Sequence, residues 1–306
     1  MYDLLIIGGG PAGISAGVYA SRKQLKTLFV TKEWGGQSTV SVEIQNWIGT
    51  PAISGTQLAK DLETHLKTYA GEFVEIVSNT LVSTLVKKGE HFVATLSNGT
   101  VAEAKAVLIA SGSQRRRMNV PGADAFEHKG LTYCASCDGP LFSGQDVAVV
   151  GAGNAAFETA AQLLAYTKSV TLLQRSATAK ADPSTVEKVL AHPNMKMLSN
   201  VTITGVTGEK FVNGITYKQD GDVEQTLPVA GIFVEIGMLP NTEFLKDIVA
   251  LDAYNRVEID PWTQQTTTKG IWAAGDCTNI KYHQNNISAG DAVRALEDIY
   301  VHLRAK

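Results

Sequence analysis

Three cysteines in 306 residues are too few for a disulfide framework or a four-cysteine zinc site. None of the six histidines has a partner at H-x₃₋₅-H spacing, so histidines do not complete such a site. Charge of one sign is also scarce. A net charge of −3 leaves no electrostatic case for nucleic acid or for an anionic membrane surface. Arg115-Arg116-Arg117 is the only basic cluster, and it reads as a solvated turn or linker. Long hydrophobic runs are missing too. Leu4 to Ala20 is uncharged, but five glycines and a proline interrupt it and Asp3 precedes it. That pattern suits neither a signal peptide nor a membrane span, so a soluble, cytoplasmic protein is expected.

What is present is a globular balance of 44% hydrophobic and 19% charged residues, with length enough for two domains. Two of the three cysteines stand close together in Cys134-Ala135-Ser136-Cys137-Asp138-Gly139. Cysteines two residues apart close a small disulfide that opens on reduction, and such pairs often carry a lowered thiol pKa. In a reducing compartment an isolated pair serves catalysis more often than structure. Asp138 adds a proton donor beside the departing thiolate. Cys277 reads as a small buried residue rather than a third redox thiol.

The chain opens on an apolar strand, Met1 to Ile7, followed at once by Gly8-Gly9-Gly10-Pro11-Ala12-Gly13 and a helix from Ile14 to Arg22. This is G-x-G-x-x-G in its strand–turn–helix context, in which glycines let the backbone approach a pyrophosphate at a helix N-terminus. A second strand, Thr27 to Thr31, ends near Glu33, at the distance expected of an acid that binds a ribose. Gly35-Gly36-Gln37 and a polar loop to Gly49 follow, then a helix over residues 55 to 70. Strands are predicted at Val74–Val77, Leu81–Lys87 and His91–Leu96, with Asn98-Gly99 as a hairpin turn before Val101. Ala104 to Ala110 is a further buried strand, and Gln114 to Gly122 is a turn-rich link.

The same device returns in the middle of the chain. Gln145 to Val150 is apolar, and Gly151-Ala152-Gly153-Asn154-Ala155-Ala156 opens the next helix as G-x-G-x-x-A. The following strand, Ser169 to Leu173, leads to Gln174-Arg175-Ser176 and Lys180. No acid stands there, and Arg175 and Lys180 are suited to a 2′-phosphate. Val201–Val206, Gly214–Lys218 and Glu224–Pro228 are predicted as antiparallel strands, and Gly231 to Gly237 as another. Gly275-Asp276 lies at a strand end, where Asp276 can meet a cofactor's sugar or phosphate. A closing helix runs from about Ala289 to His302.

The ordered set Gly8–Gly13, Gly35-Gly36-Gln37, Cys134–Gly139, Gly151–Ala156 and Gly275-Asp276 resembles the low-molecular-weight thioredoxin reductase family of flavoproteins over essentially the whole chain. Cys137 to Phe142, Lys180-Ala181-Asp182, Ala230 to Gly237 and Leu239 to Thr242 look closest to the reductase portion of the alkyl hydroperoxide reductase flavoprotein. The first fingerprint begins at residue 8, so that branch's N-terminal thioredoxin-like extension is expected to be absent.

The resemblance implies an α/β fold of two Rossmann-like domains, the second inserted into the first. It assigns residues 1–114 and 242–306 to an FAD domain and 115–241 to a nicotinamide domain carrying the dithiol. Cys137 would face the flavin, Cys134 would attack the partner, and Asp138 would exchange protons. FAD would be held by Gly8, Gly10, Pro11, Ala12, Gly13, Glu33, Gly36, Gln37, Asn46, Gly112, Gly275, Asp276, His283, Gln284 and Asn285. The nicotinamide dinucleotide would meet Gly151, Gly153, Asn154, Ala155, Ala156, Glu158, Arg175 and Lys180, with no metal. NADPH-using members carry His-Arg-Arg-x-x-x-Arg where this chain has Gln174 to Lys180, which leaves NADPH, NADH and a ferredoxin donor as alternatives. The expected activity is reduction of a thioredoxin-like protein by a homodimer whose domains rotate during turnover. Alternatives are a reductase serving a peroxide-scavenging system through a thioredoxin- or glutaredoxin-like carrier, and a flavin redox sensor without turnover.

Overall fold

The computed structural model describes residues 1–41 and 43–304; Val42, inside the polar loop expected up to Gly49, lies outside them. In chain order the first elements are β1 (Tyr2–Ile7), α1 (Pro11–Arg22), β2 (Thr27–Val30), α2 (Gly55–Ala70), β3 (Val74–Val77), β4 (Val82–Lys88), β5 (His91–Leu96), β6 (Val101–Ile109) and β7 (Ser113–Arg115). There follow α3 (Ala123–Phe126), β8 (Leu131–Thr132), α4 (Ala135–Asp138), β9 (Asp146–Val150), α5 (Asn154–Leu164), β10 (Ser169–Leu173), α6 (Pro183–Leu190) and β11 (Met195–Leu198). The chain continues through β12 (Val201–Gly208), β13 (Val212–Gln219), β14 (Gln225–Pro228), β15 (Gly231–Val234), β16 (Met238–Pro240), β17 (Ile271–Ala273) and α7 (Asn285–Arg304).

Two compact units result. One comprises Met1–Gln114 with Leu239–Lys306, and the other comprises Arg115–Met238. The return crossing falls at Leu239 rather than at residue 242. The first unit is built on a sheet in the order β3-β2-β1-β6-β5-β4, with β17 pairing β6. β1, β2, β3 and β17 run parallel to their neighbours, whereas β4 and β5 are antiparallel. Strand alternation divides its core between two faces. Leu4 and Ile6 pack with Leu58 and Leu66 of α2 and with Leu296 and Ile299 of α7, whereas Leu5 and Ile7 pack with Phe92 and Val257.

The second unit has a parallel sheet in the order β11-β10-β9-β15-β8 and an antiparallel sheet β12-β13-β14. Here Val147 and Val149 pack with Phe157 and Phe233, while Ala148 and Val150 pack with Ile232 and Ile215. The parallel strands at the centre of both sheets are covered on both faces, which is why β1, β9 and β15 read as unbroken apolar runs.

Several element boundaries depart from the sequence reading, among them the start of α1, at Pro11 rather than Ile14. β6 is one strand from Val101, because its exposed first half alternates with polar residues and only its second half reads as buried. β15 ends at Val234 rather than Gly237. α7 begins at Asn285, ahead of Ala289, since its first turn has polar residues in place of an apolar stripe. The expected turn-rich link opens as β7, which pairs with β16. No helix among the described residues is long and apolar enough to cross a membrane.

Candidate active site

In the first unit, β2 and β3 extend the sheet on one side of β1 and β6 lies on the other. The ends of β1 and β6 therefore flank a topological switch point, the place where open α/β sheets take ligands. Space explains the residue types there. A Cβ on Gly8 would come 2.1 Å from the Ala110 carbonyl oxygen, and one on Gly13 would come 1.9 Å from that of Gly8. Gly10, by contrast, faces open space. Pro11 begins α1, and no side chain caps the helix, so its first amides stay available to an anion. The cradle fits a pyrophosphate.

Several predicted residues converge on this turn. The Gly35 amide donates to the Gly9 carbonyl at 2.7 Å, and Gly36 backs onto Gly10. Thr31 Oγ1 donates to the Glu33 carbonyl at 2.5 Å, which leaves the Glu33 side chain exposed beside the turn. From the far end of the chain, Gly275 lies against Ala12 and Ser288. Asp276 accepts from Ser288 Oγ at 3.3 Å and stands 3.4 Å from His283 Nδ1, while His283 Nε2 donates to the Ile280 carbonyl at 2.8 Å. Burial disfavours the charged ring, but the hydrogen bond and charge of Asp276 outweigh it and hold the His283 pKa above its ordinary value. Asn46 Nδ2 donates to Gln284 Oε1 at 3.2 Å, and Ser38 Oγ donates to Asn285 Oδ1 at 3.1 Å. Gly112 adopts φ 65° just past β6, where its carbonyl accepts from the Asn241 amide at 3.0 Å. Cys277 is fully buried, and burial pushes its thiol up to about 11, so it stays an unreactive thiol.

The second unit repeats the geometry between β9 and β15. A Cβ on Gly151 would come 2.4 Å from the Glu235 carbonyl oxygen and 2.9 Å from Ala156 Cβ, which explains why Ala156 is small and wholly buried. Gly153 caps α5 without a side chain and faces open space. The Lys180 amide donates to the Ala152 carbonyl at 2.8 Å, and Asn154 Oδ1 accepts from the Asp182 amide at 2.7 Å. The chain after β10 thus returns to the fingerprint turn. Arg175, Lys180, Ala155 and Glu158 are exposed. Gln174 is buried instead, with its Nε2 donating to Ser199 Oγ at 3.0 Å.

The dithiol stands in this same unit. Cys134 and Cys137 form a disulfide with Cα atoms 5.3 Å apart, and Cys134 caps α4. Ala135 is buried in the core with Val149 and Phe233, which anchors the short helix to the sheet. Thr132, the last residue of β8, donates to the Asp138 carboxylate and accepts from the Cys134 amide at 3.3 Å. Asp138 is half-buried, and its own amide donates to the Cys134 carbonyl at 3.0 Å. Just beyond, Pro140 and Leu141 are exposed, Leu141 by 67%.

Two fingerprint turns and a reducible disulfide lie in one chain, and the family model described as pyridine nucleotide-disulphide oxidoreductase matches residues 2–290. The chain belongs to the pyridine nucleotide-disulphide oxidoreductase family. It is 39% identical over 298 residues to the F subunit of alkyl hydroperoxide reductase from Escherichia coli (strain K12), covering 96% of this chain and 57% of that protein. It is 38% identical over 296 residues to a Bacillus subtilis (strain 168) protein named NADH dehydrogenase, with the same coverage. The chain therefore spans little more than half the length of these curated relatives. Among solved structures, thioredoxin reductase from Streptococcus pyogenes MGAS5005 matches with a TM-score of 0.90 at 30% identity, over 100% of this chain and 99% of that one. Thioredoxin reductase from Giardia duodenalis matches at 0.92 and 28%, with the same coverage.

Within this member of the oxidoreductase family, sequence reasoning missed four site residues. Thr132 has a legible signal, a hydroxyl two residues before the first cysteine. Ser288, Thr159 and Glu235 have none. Ser288 and Glu235 reach the turns only because α7 and β15 are folded back onto elements distant in the chain, and Thr159, on α5, is marked only by the bond it donates to Glu235.

Proposed function

We propose that the protein is an FAD-containing oxidoreductase that uses a reduced nicotinamide dinucleotide to reduce the Cys134–Cys137 disulfide, and through it a thioredoxin-like protein. The observation that carries this reading is the disulfide at the N-terminus of α4, in the same unit as a fingerprint turn that lacks room for side chains. The first unit's cradle, with Gly275 against Ala12 and with Asp276 held by Ser288 and His283, fits FAD. Bound FAD supplies a two-electron carrier between a hydride donor and a disulfide.

The chain's own residues account for the remaining steps. Once the disulfide is reduced, the Cys134 thiolate attacks a sulfur of the partner's disulfide, forming a mixed disulfide and releasing one partner thiolate. Cys137 then attacks the Cys134 sulfur, which restores the intramolecular bond and releases the second partner thiolate. Asp138, oriented by Thr132, exchanges the protons that these thiolates require. Exposed Leu141 offers an apolar contact for the partner beside the dithiol.

Arg175 and Lys180 favour a 2′-phosphate, whereas buried Gln174 offers no acid to a ribose, so we place NADPH ahead of NADH as donor. The test is anaerobic bleaching of the flavin's visible absorption by NADPH and by NADH in parallel, followed by reduction of a thioredoxin-like protein. Bleaching by neither nucleotide would overturn the reading. A second reading, service to a peroxide-scavenging system through a separate carrier, is favoured by the likeness to the Escherichia coli alkyl hydroperoxide reductase protein. Comparing thioredoxin- and glutaredoxin-like carriers in the coupled assay separates the two.

A further inference from the structure

Glu235 is the first residue past the C-terminal end of β15, and its amide donates to the Val150 carbonyl at the end of β9 at 2.8 Å. It therefore stands at the switch point of the second sheet, where a ligand is expected. Its carbonyl oxygen is the atom that excludes a side chain from Gly151, so it abuts the first glycine of the fingerprint. The carboxyl is half-buried and accepts from Thr159 Oγ1 at 2.9 Å, on the helix that the fingerprint opens. The charged groups acting on it are Glu158, from the same helix, and Arg115. Nothing in the dithiol chemistry uses this acid.

We propose that Glu235 is a proton-binding residue of the dinucleotide crevice, protonated when a reduced nicotinamide dinucleotide is bound. The inference rests on the nicotinamide reading of the second site. Burial, aided by Glu158, raises the free acid to about 7 against the opposing pull of Arg115 and Thr159. A pyrophosphate brought into the same crevice adds negative charge and covers more of the carboxyl, so the bound complex holds the proton more tightly. Below pH 7 the proton is already in place and affinity is unaffected. Above it, binding must take up a proton, and affinity falls as pH rises. Glu235 thus tunes dinucleotide affinity to pH.

The test is isothermal calorimetry of the oxidised FAD-loaded protein with the tetrahydronicotinamide analogues of NADH and NADPH, which carry the charge of the reduced dinucleotides but donate no hydride. Kd is expected to be flat from pH 5.5 to 6.5 and to weaken above pH 7, approaching tenfold per pH unit at the limit. Runs in buffers of different ionisation enthalpy should show nearly one proton taken up per ligand at pH 8. Glu235→Gln should keep the low-pH affinity at every pH and take up no proton. Thr159→Val, which removes the hydroxyl donor, should move the midpoint to higher pH in a protein that keeps the acid.

Binding with a flat Kd and no proton uptake would overturn the role of Glu235 while leaving the nicotinamide site standing. Proton uptake that survives in Glu235→Gln, or an unmoved midpoint in Thr159→Val, would do the same. Failure of both analogues to bind at any pH would overturn the nicotinamide reading, and this proposal with it.

Discussion

Asn46 Nδ2 donates to Gln284 Oε1 at 3.2 Å, joining two side chains 238 positions apart within one unit. The Asn46 carbonyl in turn accepts from Asn286 Nδ2 at 2.7 Å, so one residue fastens the loop after Gly36 to the start of α7. Asn46→Ala removes the side-chain bond, worth about 1 kcal/mol, and should weaken FAD retention about fivefold. Titration of flavin-free protein with FAD measures it. An unchanged Kd would show that the tie does not shape the flavin site.

The two fingerprints can be separated by the same small change. Gly151→Ala places a Cβ 2.4 Å from the Glu235 carbonyl oxygen and should abolish flavin bleaching by NADPH and NADH while leaving FAD bound. Gly8→Ala meets the Ala110 carbonyl oxygen at 2.1 Å and should instead yield protein without flavin. Absorption spectra before and after anaerobic addition of nucleotide distinguish the outcomes.

Cys134→Ser and Cys137→Ser should each reduce turnover with a thioredoxin-like disulfide to background. Bleaching of the flavin by reduced nicotinamide should persist in both, because the dithiol lies after the flavin in the proposed relay. Full turnover by Cys137→Ser would break the scheme.

His283 sets a pH dependence in the first unit. Its folded-state pKa lies above the ordinary 6.5, because Asp276 outweighs the burial that opposes it. The stabilisation is therefore complete below pH 6.5 and is lost as pH rises through the raised folded value. Thermal release of FAD, followed by flavin fluorescence, should come about 1–3 °C earlier at pH 9 than at pH 6.5. His283→Gln should flatten that difference.

Trp272 is wholly buried on β17, and its Nε1 donates to Asp298 Oδ2 at 2.8 Å. Trp272→Phe keeps most of the apolar volume but strands the carboxylate, at a cost of about 1–3 kcal/mol. Urea unfolding of the full chain should show that loss. A midpoint equal to the parent would mean that Asp298 finds water instead.

The parts of the site that are readable from sequence are those in which local sterics restrict the residue type. Gly8, Gly13 and Gly151 admit no side chain, Pro11 suits a helix start, and two cysteines one turn apart can meet without help from the rest of the fold. Gln174 illustrates the opposite case. Its place after β10 marks it as a ribose position, but its burial against Ser199 depends on β11 lying alongside. Glu235 reads as one polar residue inside the strand expected over Gly231 to Gly237 until β15 ends at Val234 and pairs with β9. The start of α7 is obscured because Asn285 serves Ser38 and Asn286 serves the loop around Asn46, not a core, so the apolar period begins only later.

The insertion has a consequence for biosynthesis. β17 pairs the C-terminal half of β6, beyond the stretch that β5 pairs, and with α7 completes the core around Leu4 and Phe29, yet both follow the whole of the second unit in the chain. On the ribosome, the second unit has all its strands before the first has its last one. The nascent chain must therefore hold β1 to β6 as an unfinished sheet, with the apolar face meant for Leu296 and Ile299 uncovered, while a complete neighbour forms downstream. A ribosome stalled before residue 271 should thus carry a protease-resistant middle and a sensitive beginning, the reverse of the usual order of emergence.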